Sequence, residues 1–239
     1  ACDSAGVPVN SSNLAYKAAR LLQDSFNPAG GLDLKIIKRI PVGSGLGGGS
    51  SNAATALLGL NKLWRLGLSQ DKLAAYAQKI GCDVPFFTYN SPFALGSGRG
   101  DKIKPLKALE KIKLWHILAV PRINVSTPLI YKKWDAAKDA GLTRPKYGVK
   151  IFPLALKRNK LWFKGELLFN SLEKITAELY PQVKRVKEKL LSLGVRSILM
   201  SGSGPAVFGI VSSRKEALSL YRQLRREFRF WQVFVTRTS

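Results

Sequence analysis

The chain has 239 residues, 46% of them apolar, which is enough to bury a core in one large domain or two small ones. No long charge-free apolar run is available to cross a bilayer as a helix and no basic-then-apolar leader opens the sequence, so a cytoplasmic protein without a membrane partner is expected. Lysine and arginine total 39 against 15 acidic residues, a formal net charge of +24; with no nucleic-acid-binding module recognisable, this reads as a solvated basic surface rather than a nucleic-acid interface.

Ala1 is not an initiator methionine, and Ala1 to Val9 reads as the tail of an element already under way. Asn10-Ser-Ser-Asn13 supplies capping residues for an amphipathic helix through Leu14, Ala18, Leu21 and Leu22, ending near Asp24. Asn27 to Gly31 forms a loop. Leu32, Leu34 and Ile36 alternate with Asp33 and Lys35, the period-two signature of a half-buried strand. Next comes Pro41-Val-Gly-Ser-Gly-Leu-Gly-Gly-Gly-Ser-Ser-Asn-Ala-Ala-Thr55, followed by Ala53, Leu57, Leu60 and Trp64 at helical spacing. The reading is strand, glycine loop, helix.

Glycines at 43, 45, 47, 48 and 49 allow positive φ and bring backbone N–H groups close to an anion. Ser50, Ser51, Asn52 and Thr55 add side-chain donors, and the helix start adds the positive end of its dipole. Together these make a phosphate cradle. The loop lacks the Gly-Lys-[Ser/Thr] of a P-loop. Gly43-x-Gly45-x-x-Gly48 matches the dinucleotide fingerprint, but no strand ending in an acidic residue follows the helix to hold a ribose. Neither a Val-Ala-Ile-Lys strand nor a His-Arg-Asp loop follows, which excludes a protein kinase.

Ser69 caps a further helix with Asp71 in its first turn, and Gly81 ends it. Asp83 follows, ahead of Val84-Pro85-Phe86-Phe87; on residue type alone it is a turn-capping carboxylate. Phe93 to Asp101 reads as a hairpin with a glycine turn. The basic, irregular stretch Leu106 to Lys113 marks a boundary between lobes spanning 1–112 and 113–239. Leu114 to Val120 is an apolar strand containing His116, the only histidine, which supports neither a triad nor a zinc site. Of the cysteines only Cys2 and Cys82 are present, without metal-like spacing, so no metal ligands are assigned and a reduced chain is expected.

Thr127 as N-cap and Pro128 as N1 open the next helix. Lys150 to Lys164, basic with interleaved Phe, Leu and Trp, reads as an amphipathic helix. A helix from Pro181 to Gly194, a strand at Ser197 to Met200, the loop Ser201 to Gly204 and a strand at Ala206 to Val211 follow. A helix capped by Ser213 and a strand at Trp231 to Val235 complete an α+β layer, with helices on one face of an antiparallel sheet.

From Pro41 to Asn52 the sequence resembles the ATP-phosphate loop of the GHMP small-molecule kinases. Gly81-Cys-Asp-Val-Pro-Phe-Phe87, Val125-Ser-Thr-Pro128, Leu168-Phe-Asn-Ser-Leu-Glu173 and Ser201-Gly-Ser-Gly-Pro-Ala-Val-Phe208 agree in order. Cys82 stands where Ala or Ser is usual, and Ser171 where Asp is. The resemblance implies a two-lobed GHMP kinase fold, α+β, with a truncated N-lobe like ribosomal protein S5 domain 2 and a ferredoxin-like C-lobe. It implies ATP and Mg²⁺ as cofactors. Nucleotide contacts would come from Lys38, Pro41, Gly43, Gly45, Leu46, Gly47, Gly48, Gly49, Ser50, Ser51 and Asn52. Asp83 becomes the catalytic carboxylate that accepts, or orients the loss of, the proton of the substrate hydroxyl, Thr127 a hydroxyl facing the substrate, and the Ser201–Gly204 loop a cover on the nucleotide side. The triple glycine and Ser-Ser-Asn point within the family to phosphorylation of the 2-hydroxyl of 4-diphosphocytidyl-2-C-methyl-D-erythritol, a step of non-mevalonate isoprenoid precursor biosynthesis. The alternatives are a homoserine- or mevalonate-type kinase, or an inactive nucleotide- or nucleic-acid-binding scaffold. In the family about fifty residues with the first strands and a lysine precede this point, so a fragment or a late-called start is expected.

Overall fold

A computed structural model describes residues 1–137, 151–157 and 167–238, and its residues group into two compact units. The first comprises Ala1–Val42 and Gly47–Glu110, the second Gly43–Leu46 and the chain from Lys111.

Helices build the first unit. Asn13 caps α1 (Leu14–Phe26), its side chain accepting from the Ala15 N–H, and Asn27 closes the helix in the left-handed conformation. Ala18 and Leu22 of α1, fully buried, pack on Ala53, Leu57 and Leu60 of α2 (Gly48–Leu63) and on Leu73 and Ala77 of α3 (Gln70–Ile80). The small alanines let the helices approach closely, and the leucines fill the space between them. Ser69 caps α3 through the Lys72 N–H, as its sequence position requires. The short α4 (Val84–Thr88) packs on α2 and α3, and β1 (Ala94–Ser97) pairs antiparallel with β2 (Lys102–Pro105) around a turn with positive φ at Gly98 and Gly100. A 3₁₀ turn follows at Lys107–Leu109.

The strand expected at Leu32 to Ile36 does not form. Ile36 makes one isolated parallel bridge to Cys2, with its N–H donating to the Ala1 carbonyl at 2.9 Å. The alternation is present, Ile36 being buried and Lys35 exposed, but a strand exists only where a neighbour takes up its backbone groups. Among the described residues Cys2 is the one such bridge partner.

The second unit is a four-stranded antiparallel sheet in the order β4 (Ser197–Met200), β5 (Val207–Val211), β3 (Trp115–Val120), β6 (Gln232–Arg237). Numbered within the unit this is 2-3-1-4, the ferredoxin-like arrangement. Period-two alternation along β3 sends Ile117 and Ala119 to one face and Leu118 and Val120 to the other. The first face is covered by α8 (Pro181–Ser192) and α9 (Arg214–Glu227), through Val183, Val186, Leu190, Ala217, Leu220 and Leu224. Also in this unit lie α5 (Thr127–Ala137), α6 (Ile151–Lys157) and α7 (Glu173–Leu179). The amphipathic segment expected from Lys150 to Lys164 is helical at α6; Lys150 and 158–164 lie outside the described residues. On the second face, Leu46 of the glycine loop packs on Leu118, Val120 and Ala206. That contact is why Gly43–Leu46 groups with this unit although its flanks group with the other.

His116 points to the same face as Leu118, its ring edge-on to Phe208 at 5.9 Å. Burial holds its pKa below the ordinary value, partly offset by a hydrogen bond with the Thr236 backbone. Cys2 and Cys82 are both free. Among the described residues no helix is long and apolar enough to cross a membrane.

Candidate active site

In the first unit the cradle is the start of α2. Gly47, at φ +65°, is the N-cap, and no side chain caps the helix. The first-turn N–H groups, which have no intrahelical acceptor, are therefore left for an external anion, reinforced by the helix dipole. Gly48 and Gly49 are not at positive φ, contrary to the sequence expectation; they already belong to the helix. Gly48 is required for space instead. A Cβ there would stand 2.6 Å from Lys38 Nζ and 3.0 Å from Ile40 Cγ2, so the Lys38 ammonium lies against the first turn of α2. Burial lowers the Lys38 pKa, partly offset by Cys2, and its backbone N–H is held by the Asp3 carboxylate at 2.7 Å. Ser50, Ser51 and Asn52 are partly exposed in the first turns. The Thr55 hydroxyl, by contrast, donates to the Ser51 carbonyl at 2.9 Å and is not a free cradle donor.

Asp83 occupies the N-cap position of α4, yet its side chain makes no capping bond and is exposed. The turn-capping explanation of this carboxylate therefore fails. Phe87, four residues on and so on the same face of α4, puts its ring 2.9 Å from where a Gly47 Cβ would be. Through Phe87, α4 abuts the start of α2, and Asp83 stands at the N-terminal end of α4.

In the second unit the loop residues Gly43 to Leu46 meet Ser201 to Gly204. Gly45, at φ +75°, lies so close that a Cβ would collide with the Ser201 carbonyl oxygen and come within 2.8 Å of that of Gly204. The Ser201 hydroxyl donates to the Gly45 carbonyl at 2.8 Å, and the Ala206 N–H to the Ser44 carbonyl at 3.1 Å. Gly202, at φ +56°, packs back on Gly45. Two glycine loops are knitted together by backbone contact.

Thr127 is not the N-cap of α5. Ser126 fills that role, its Oγ accepting from the Leu129 N–H at 3.4 Å while its carbonyl accepts from Ile130. This frees the Thr127 hydroxyl, which pairs with the Ser203 hydroxyl at 2.7 Å. Sequence reasoning missed Ser203 and Asn170 as contributors. The Leu168 to Glu173 segment carried the signal for Asn170, but residue types alone do not say which backbone groups a side-chain amide will hold.

Among the described residues no group of three or more His, Cys, Asp or Glu could hold a metal ion. At the start of α2 and the head of α4 the first unit offers backbone N–H donors, hydroxyls, one ammonium and one uncapped carboxylate. Donors of this kind suit a polyphosphate, and a carboxylate suits the uptake of a proton.

Two family models match the chain: the GHMP kinases N terminal domain over residues 13–91 and the GHMP kinases C terminal over 154–229. A 4-diphosphocytidyl-2-C-methyl-D-erythritol kinase of Shouchella clausii is 44% identical over 92% of this chain and 71% of its own length. That of Brevibacillus brevis is 40% identical over 99% of this chain and 78% of its own. A crystal structure of 4-(cytidine 5′-diphospho)-2C-methyl-D-erythritol kinase superposes with a TM-score of 0.78 at 32% identity, covering 99% of this chain and 80% of that one. A homoserine kinase from Cytophaga hutchinsonii has a TM-score of 0.76 at 18% identity over 99% of this chain and 79% of its own, a likeness of fold alone.

Proposed function

The chain belongs to the GHMP kinases, and on that premise we propose that it phosphorylates the 2-hydroxyl of 4-diphosphocytidyl-2-C-methyl-D-erythritol with ATP. It is an ATP-dependent small-molecule kinase. The observation that carries the substrate assignment is identity of 39–44% to curated kinases of this one alcohol and 32% to a solved one, against 18% for a homoserine kinase of nearly equal structural likeness.

Phosphoryl transfer asks a protein for positioning and charge neutralisation more than for covalent chemistry. The uncapped N–H groups of Gly48, Gly49 and Ser50, with the hydroxyls of Ser50 and Ser51 and the Asn52 amide, hold the phosphate oxygens. The Lys38 ammonium beside Gly48 adds positive charge at the same end of α2. Pro41, Gly43 and Leu46 shape the loop. Bound ATP would supply the γ-phosphoryl group, and Mg²⁺ bound with it would neutralise phosphate charge. The Asp83 carboxylate, uncommitted to any cap, accepts the proton of the attacking hydroxyl. Thr127 presents its hydroxyl to the alcohol.

The test is kcat/KM for this alcohol beside homoserine and mevalonate, in the full-length protein. A preference of at least about 10²-fold for the diphosphocytidyl alcohol is expected. A preference for homoserine or mevalonate would leave the chemistry and remove the substrate.

A further inference from the structure

We infer that Asn170 is a positioning residue for phosphoryl transfer, because it fixes the Ser201–Gly204 loop that sets both the Gly45 carbonyl and the Thr127 hydroxyl. The inference rests on the reading above, in which Gly45 stands on the nucleotide side and Thr127 on the alcohol side.

Asn170 precedes α7. Its amide nitrogen donates to the Met200 carbonyl at 3.0 Å and to the Gly202 carbonyl at 2.8 Å, while its oxygen accepts from the Leu172 N–H at 3.0 Å. Carbonyls only accept and an N–H only donates, so these three partners determine the amide's orientation. The two carbonyls bracket Ser201, whose backbone is thereby held on both sides.

Two further groups on the same stretch of chain reach the same loop. Glu173 accepts from the Met200 N–H at 2.8 Å and is ion-paired with Lys187. Thr176, fully buried, donates its hydroxyl to the Ser203 carbonyl at 3.2 Å. Asn170, Glu173 and Thr176 are three residues apart, so the turn leading into α7 and α7 itself deliver their polar groups as one row.

The loop held this way has two outputs. The Ser201 hydroxyl donates to the Gly45 carbonyl, and the Ser203 hydroxyl pairs with Thr127. Because Gly45 lies against the Ser201 and Gly204 backbone with no room for a Cβ, and Ser201 and Ala206 hydrogen-bond to its loop, a shift of one loop disturbs the other. One anchor therefore serves two ligands.

Asn170→Asp keeps the volume and the acceptor for Leu172 but turns the donor into a carboxylate oxygen facing two carbonyls. The experiment measures kcat, KM for ATP, KM for 4-diphosphocytidyl-2-C-methyl-D-erythritol and melting temperature in the full-length protein. Asn170→Asp is expected to raise both KM values about tenfold or more. Ser201→Ala should raise that for ATP about three- to tenfold and leave the alcohol's within about twofold, and Ser203→Ala should do the reverse. A merely structural Asn170 would lower the melting temperature with both KM values unchanged, which overturns the inference. Should Asn170→Asp fail to fold, the two alanine variants decide: equal effects on both ligands, or none, overturn it. A wild-type protein that binds no ATP overturns the reading of the site itself. An active wild type with unsplit variant constants overturns only the role of the loop.

Discussion

Of the alanine replacements in the glycine loop, Gly45→Ala meets the closest contact, and that contact is backbone. At φ +75° an alanine occupies the left-handed region at a cost of about 1–2 kcal/mol. Its Cβ would also meet two backbone carbonyl oxygens, of Ser201 and Gly204, which no rotamer change can move. One loop must retreat, losing the Ser201 hydroxyl bond to Gly45 and the Ala206 bond to Ser44, each worth about 0.5–1.5 kcal/mol. The total is about 2–5 kcal/mol, divided between melting temperature and ATP affinity. At about 2–4 °C per kcal/mol for a chain of this size, a drop of at least about 4 °C is expected if stability takes the whole loss. If the loop yields instead, ATP affinity falls at least about tenfold. Gly48→Ala is the comparison for melting alone: its Cβ meets first the movable end of Lys38, so the fold should lose distinctly less, while displacing that ammonium weakens ATP binding. Calorimetric titration with ATP and thermal melting, run on both variants, give the answer. Gly45→Ala with wild-type affinity and wild-type melting would refute the packing argument.

Asp83→Asn should lower turnover by at least about 10²-fold with ATP affinity and melting unchanged, because the carboxylate caps nothing; near-normal turnover would make it structural. Burial lowers the His116 pKa, so the neutral ring contributes stability above about pH 6.5 that is lost as pH falls through the lower folded value. Melting of the wild type should therefore decline more steeply between about pH 7.5 and 5 than that of His116→Gln, and equal slopes would deny it. The charge of +24 should give only weak affinity for random-sequence duplex DNA, lost at physiological salt; binding that survives would mark a true nucleic-acid surface.

The glycine loop was legible because so many glycines between an apolar alternation and a helical repeat admit few other structures. The C-terminal sheet was legible because its strands are short apolar runs bounded by glycine turns and helix-capping residues. What failed was whatever depends on a partner. Leu32 to Ile36 has the pattern of a strand, but among the described residues Cys2 alone bridges to it. Ser126 and Thr127 compete for one cap, and the outcome turns on Ser203, some 76 residues away. Positive φ at Gly48 and Gly49 was over-read because a glycine run does not say where the helix begins.

The central claim is transfer of a phosphoryl group from ATP to one hydroxyl of one alcohol. Phosphorus NMR of the product formed from 4-diphosphocytidyl-2-C-methyl-D-erythritol and ATP by the full-length protein tests it most directly. The account predicts a new phosphomonoester on the 2-hydroxyl with the diphosphocytidyl group intact and one ADP per ester. An ester at another position, or ADP released with no ester formed, would contradict it.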